Sequence, residues 1–411
     1  EKNKPKINSS FISGKWSVNE DYEDIYSPFN GDLVSRVSLA KEKEVTEATK
    51  SAKIVLNKGS FPGHVRRDWL KKAAEITLKR SEDIANAISK ETGKVISDTR
   101  AEVLRSCETL SLSADEAIRI TGEHIPMDGS SIGSGKLAIL LRYPIGLVAA
   151  IIPFNAPFNM ACHKVGPALA GGNAVILKGP PEAPSSMTIL AEILLEAGVP
   201  ESWFSLLQGG SNIGKKLVED QSVDYISFTG STKVGMEIRK IAGMRGTTLE
   251  LGGLGPNIVT EDADIKKVSK MCALNGMRLS GQSCVSVQNL FVHESIIEEF
   301  TERLSENVNN LKVGNPLDPE MDLGPMISER EAIRIESWVS EAVQKGATLI
   351  TGGVRKGAIF FPTLLSDVTQ DMKVVCEEAF GPVISIHKYK SINEPINWVN
   401  KSSFGLNCGL F

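Results

Sequence analysis

Between Leu147 and Ala242 the sequence alternates, four times over, a short apolar run with an amphipathic stretch. The apolar runs are Leu147–Ile152, Ala174–Lys178, Phe204–Gln208 and Tyr225–Phe228. The helical patterns after them are Met160–Ala170, Ser185–Ala197, Ile213–Asp220 and Thr232–Ala242. Strands apolar at nearly every position are buried on both faces, so the pattern predicts a parallel sheet covered by helices on each side. Ligands of such sheets bind beyond the C-terminal ends of the strands. The residues just after each apolar run are therefore the first place to look for chemistry.

The flanking regions read differently. Apolar positions spaced by three and four predict helices at Glu44–Leu56, Arg66–Ser81 and Ile84–Ser89. Gly93 reads as a helix stop ahead of a further helix, Val95–Ile120. Over residues 122–143, Gly122, Gly129, Gly133 and Gly135 punctuate short extended pieces such as Lys136–Arg142, a hairpin pattern. After Glu250 a second alternating region begins. It contains helices at Asp264–Ser280, Ile296–Leu311 and Glu329–Lys345, and strands at Val287–His293 and Thr348–Thr351. A chain of 411 residues exceeds one ordinary core, and a domain boundary is expected near residue 250.

Composition excludes several classes. The net charge of −4 argues against a nucleic-acid partner. Apolar runs such as Gly146–Pro153 are too short to cross a bilayer, so no membrane partner is expected. The stretch Glu1–Lys6 is polar and lacks an apolar signal core. The six cysteines are scattered, without a CxxC pair, which supports neither a disulfide framework nor a metal site. A cytoplasmic protein with reduced thiols is expected.

Four segments carry chemistry, and each has a plainer reading. Cys284, in Gly281-Gln282-Ser283-Cys284, lies between a helix and a strand and reads as a small core residue or a reactive thiol. Glu250 ends a strand ahead of Gly252 and Gly253, as a general base or a solvated turn carboxylate. Phe228-Thr229-Gly230-Ser231-Thr232 joins a strand to a helix, where Ser231 and Thr232 cap the helix and suit a phosphate. The GxGxxG dinucleotide fingerprint is absent there. Asn155 ends the first strand of the alternation, as an oxyanion donor or a turn asparagine.

Taken together and in order, these segments resemble the aldehyde dehydrogenase superfamily from about Phe11 to Phe411. The matching motifs are Pro153-Phe154-Asn155, Gly172-Asn173 through Lys178, Phe228 through Gly235, Glu250 through Gly253, Gly281 through Cys284 and Glu378-Ala379-Phe380-Gly381-Pro382. The resemblance implies an α/β fold with a Rossmann-type cofactor domain, an α/β catalytic domain and a β-hairpin oligomerisation arm. It places the dinucleotide-binding domain at residues 1–121 and 144–250, the arm at 122–143 and the catalytic domain at 251–411. It implies that Cys284 attacks the aldehyde, that Asn155 holds the oxyanion and that Glu250 activates water against the resulting thioester. Lys178 would bind the adenosine ribose, Ser231 with Gly230 the pyrophosphate, and Glu378 with Phe380 and Phe154 the nicotinamide end. The cofactor is NAD or NADP. Where NAD-preferring members often carry a glutamate, three residues after the lysine, this chain has Pro181, with Glu182 one residue late.

Within the superfamily the chain is most similar to the lactaldehyde dehydrogenase-like and non-phosphorylating glyceraldehyde-3-phosphate dehydrogenase-like groups, which implies a small polar or anionic aldehyde. Arg278 and Arg105 are candidate anion-binding residues, with His163 beside the same site. Each also reads as an ordinary helix residue. The family pattern continues past Phe411, and a homodimer or homotetramer is the expected assembly. Two competing expectations are a CoA-acylating relative, disfavoured by Glu250, and a non-catalytic structural relative, disfavoured by the joint presence of Cys284, Glu250 and Asn155.

Overall fold

The computed structural model describes residues 6–411, and the polar stretch Glu1–Lys6 lies outside them apart from the backbone of Lys6. Five short strands come first: β1 (Lys6–Asn8), β2 (Ser10–Ile12), β3 (Lys15–Ser17), β4 (Tyr22–Tyr26) and β5 (Leu33–Ser38). The residue pattern does not reveal them, because each is completed by a partner rather than by its own periodicity. Phe11 on β2, for example, pairs with Leu206 far along the chain.

Four helices follow, α1 (Glu42–Leu56), α2 (Gly63–Lys79), α3 (Ser81–Thr92) and α4 (Ile96–Ala117). α1 begins where the Glu44 carboxylate accepts the Lys41 N–H at 2.6 Å. α3 stops at Gly93, whose left-handed φ of 74° suits glycine. A Cβ there would come within 2.5 Å of Pro325.

The expected hairpin is present as β6 (Glu123–Ile125) paired antiparallel with β7 (Ala138–Leu140). The alternation then unfolds as β8 (Leu147–Ile151), α5 (Pro157–Ala170), β9 (Ala174–Lys178), α6 (Pro184–Ala197), β10 (Phe204–Leu207), α7 (Ser211–Glu219), β11 (Tyr225–Thr229), α8 (Thr232–Ala242) and β12 (Gly246–Glu250). The sheet order is β12-β11-β8-β9-β10-β2-β3. The five strands of the alternation run parallel, and β2 joins β10 antiparallel with β3 outside it at the edge. Every residue of β8, β9 and β10 is buried, and each side chain the size of Ile176 or Leu177 contributes about 1.5–3 kcal/mol by leaving water. Register decides what this core displays. Ile151 lies beside both Lys178 and Phe228, and Thr229 beside Glu250, so the ends of β8, β9, β11 and β12 open on one edge.

The second region contains β13 (Pro256–Val259), α9 (Ile265–Met277), β14 (Asn289–His293), α10 (Ile297–Asn309), α11 (Glu329–Gln344), β15 (Thr348–Thr351), β16 (Arg355–Lys356), β17 (Ile359–Phe360), β18 (Thr363–Ser366), α12 (Lys373–Cys376), β19 (Val383–Tyr389), α13 (Asn393–Lys401) and β20 (Gly409–Leu410). Its sheet runs β15-β18-β19-β14-β13-β20, with only β15 antiparallel. α9 ends at Met277, short of the Ser280 end expected from the pattern, because Leu279 and Ser280 turn left-handed at φ 57° and 53°. Among the described residues no helix is long and apolar enough to cross a membrane, and no group of three or more His, Cys, Asp or Glu could hold a metal ion.

Candidate active site

The strand ends of the parallel sheet face the loop that follows α9. That loop is held in an unusual backbone. Leu279, Ser280 and Gly281 are consecutive left-handed residues, with φ of 57°, 53° and 70°. Such a conformation costs energy for any residue with a Cβ and persists only when neighbours impose it. Here Ser280 Oγ donates to the Gly324 carbonyl at 2.7 Å. Gln282 Oε1 accepts the Ile327 N–H at 2.9 Å, while Gln282 Nε2 donates to the Leu279 carbonyl at 3.1 Å. Gly281 packs against Gly381 and Pro382 so closely that a Cβ would overlap the Gly381 carbonyl. Gly281→Ala is therefore expected to cost about 2–4 kcal/mol from strain and overpacking. Thermal unfolding would show it, and an unchanged midpoint would refute the packing argument.

The loop presents Cys284, half-buried, to the strand ends. Burial pushes its thiol pKa up, and the charges of Glu378 and Glu250 push the same way, so both carboxylates lie within electrostatic reach. Gly253, just after Glu250, lets the loop approach, since a Cβ there would sit 2.7 Å from the Cys284 carbonyl. Glu250 itself is exposed at the end of β12. Asn155 arrives from the end of β8 and its Nδ2 donates to the Gln282 carbonyl at 3.0 Å. The structure thus brings Cys284, Asn155 and Glu250 to one place, although more than a hundred residues separate the first two in the chain.

The strand ends and loops near this cluster carry groups whose chemistry suits a dinucleotide. Lys178, at the end of β9, is only 6% exposed. Burial brings its ammonium pKa down to about 8 against the opposing charge of Glu182. Among the described residues its Nζ has no hydrogen-bond or ion-pair partner. Ser231 caps α8, accepting the Val234 N–H at 3.4 Å. Gly230 precedes it, and a Cβ there would stand 2.5 Å from the Phe228 ring. Glu378 Oε1 accepts the Gly253 N–H at 3.2 Å, and burial raises its carboxyl pKa. Phe380, left-handed at φ 48°, meets Phe154 edge to face with centroids 6.0 Å apart. An ammonium, a capped helix N-terminus, a carboxylate and an aromatic pair suit the ribose, pyrophosphate and nicotinamide parts of a dinucleotide.

The residues proposed for an anion divide. Arg105 is exposed on α4 without an ion-pair partner among the described residues, and its charge lowers the pKa of His163 after burial and Lys164. His163 Nε2 lies 3.4 Å from Thr109 Oγ1. Arg105 and His163 therefore share one face between α4 and α5. Arg278 does not join them. Its Nε donates to Asp98 Oδ1 at 2.7 Å, so a carboxylate already compensates the guanidinium.

Lys164 was not visible as a site residue, since it sits mid-helix in α5. Its Nζ donates to Ser227 Oγ at 3.0 Å. Burial drops its pKa to about 8, with the charge of Glu250 opposing. Only the pairing of β11 with β8 brings these together.

The chain matches the family model described as "Aldehyde dehydrogenase family" over residues 16–411. It is 42% identical over 402 residues to a 3-sulfolactaldehyde dehydrogenase of Priestia megaterium, covering 98% of this chain and 84% of that protein. It is 38% identical over 407 residues to an NADP-dependent glyceraldehyde-3-phosphate dehydrogenase of Streptococcus equinus, covering 98% and 85%. The crystal structure of aldehyde dehydrogenase 21 from Physcomitrella patens, in complex with the reaction product succinate, superposes with a TM-score of 0.95 at 35% identity. That match covers 100% of this chain and 86% of the other. The six ordered motifs, the α/β architecture and these matches agree, and the chain belongs to the aldehyde dehydrogenase family.

Proposed function

We propose that this protein oxidises a small anionic aldehyde to its carboxylic acid through a covalent adduct on Cys284. The observation that carries the reading is the meeting of Cys284, Asn155 and Glu250 at the open end of the parallel sheet. Sγ of Cys284 attacks the carbonyl carbon and the carbonyl oxygen becomes an oxyanion. An amide has two N–H groups, and Asn155 spends one on the Gln282 carbonyl. That bond fixes the amide plane and leaves the second N–H for the oxyanion. Lys178, Ser231 and Glu378 would hold the dinucleotide, which would supply the hydride acceptor that turns the adduct into a thioester. Glu250 then takes a proton from the water that attacks the acyl group on Cys284, and the thiolate leaves. Glu250 favours water over CoA as acyl acceptor, and product analysis with and without CoA checks this.

The acceptor is NAD or NADP, because Pro181 leaves no carboxylate three residues after Lys178 to repel a 2′-phosphate. The division near Glu250 into cofactor and catalytic parts belongs to the same reading. So does assembly through the β6–β7 ribbon, which exposes Ile132, Leu137 and Ile139 and whose role sedimentation would test.

The substrate class rests on Arg105 beside His163 and Thr109. The relatives named above take or release aldehydes and acids bearing a sulfonate, a phosphate or a second carboxylate. A panel of glyceraldehyde-3-phosphate, lactaldehyde, succinic semialdehyde and a long alkanal tests the reading, and best turnover of the alkanal would sink it. Arg105→Gln is expected to raise KM for the charged aldehydes about 10–100-fold, the loss of one charge-assisted contact. The alkanal KM should stay put.

A further inference from the structure

α5 starts at Pro157 with Ala156 before it, a residue with no side chain able to cap a helix. The cap comes instead from another helix. Glu102 of α4 turns Oε1 to the first-turn N–H groups of Phe158 and Asn159, at 2.9 and 3.1 Å. Its second oxygen, Oε2, is 2.5 Å from Lys94 Nζ. The same ammonium donates to the main-chain carbonyl of Asn155 at 3.3 Å. Both side chains are shut from water, at 5% exposure for Lys94 and 0% for Glu102. Gly93, left-handed at the end of α3, delivers Lys94 to this position.

A buried ion pair is a costly way to stabilise a fold, since well-packed apolar side chains of similar size often serve as well or better. What this pair does that apolar packing cannot is hold three backbone groups in a row of five residues: the carbonyl of Asn155 and the N–H groups of Phe158 and Asn159. Those groups are the backbone at and just after Asn155, whose side-chain amide is tied separately to the Gln282 carbonyl. Backbone and amide of Asn155 are therefore each held.

We propose that Lys94 and Glu102 are positioning residues that hold the Asn155 amide where the oxyanion forms. The inference rests on the reading of Asn155 as oxyanion donor. Removal of one such donor costs about 10²–10³ in rate, and misplacing it should cost a large share of that.

The test uses the full chain without dinucleotide. Acylation of Cys284 by p-nitrophenyl acetate passes through a tetrahedral oxyanion, whereas alkylation by iodoacetamide does not. The variant Lys94→Gln with Glu102→Gln leaves neither charge unpaired and keeps an acceptor for the α5 N–H groups. It should slow acylation about 10–100-fold and leave alkylation unchanged. Lys94→Arg keeps the charge over Glu102, so it should fold, but its fork cannot reproduce a single ammonium contact, and acylation should fall several-fold. Both losses should vanish in an Asn155→Ala background, since groups acting as one unit are not additive. Wild-type acylation in either variant overturns the proposal. So does a parallel loss of alkylation, or a loss that adds in full to that of Asn155→Ala. Wild-type acylation by Asn155→Ala alone would instead overturn the oxyanion reading beneath it.

Discussion

Cys284→Ala is expected to abolish aldehyde-dependent reduction of the dinucleotide while the protein stays folded and keeps its dinucleotide affinity. The expected fall is on the order of 10⁴-fold or more, the scale of removing a covalent nucleophile. The substitution removes one half-buried sulfur, so its cost to stability should be about 1 kcal/mol or less. Absorbance of the reduced dinucleotide gives the rate, and fluorescence titration gives the affinity. Appreciable residual turnover would remove Cys284 from the mechanism. The thiol's surroundings add a check. Burial, then Glu378, then Glu250 raise its pKa, so less thiolate is present at neutral pH than for an ordinary thiol. Alkylation should climb with pH through a midpoint above the usual thiol range. Glu378→Gln removes one of the charges that oppose ionisation and should move that midpoint down.

Glu250→Gln is the second large effect. The amide can neither take a proton from water nor carry charge, while its shape at the end of β12 is kept. The first turnover should proceed and then stall, because the acyl group on Cys284 is no longer hydrolysed. Rapid mixing should show a burst of reduced dinucleotide of one per active site. A steady state slower by about 10²–10⁴-fold, the usual worth of a general base, should follow. A slow phase with no burst would mean that Glu250 serves the thiol rather than the water. A full steady rate would mean that it serves neither.

The β-α alternation is readable because each strand of Leu147–Thr229 is apolar at nearly every position and each helix repeats at its own period. The hairpin over 122–143 was readable from its glycines. The strands before Ser38 were not, since residues such as Phe11 become strand only against Leu206. The end of α9 was misjudged for a related reason. Nothing in Leu279 or Ser280 announces a left-handed turn, which is imposed by contacts to Gly324 and Gly381. Charged residues were the hardest to assign. Arg278 reads as an exposed helix arginine until the fold sets Asp98 beside it, while no local pattern marks Lys94, Glu102 or Lys164, which the fold buries.

By itself the sequence determined the parallel α/β sheet and marked Cys284, Glu250, Asn155 and Lys178 as candidates, because strand periodicity and short motifs are local. Only the tertiary structure decided which charges are free, which are paired and what holds the Asn155 amide. Those outcomes depend on burial and on partners from distant segments, and no local pattern encodes either.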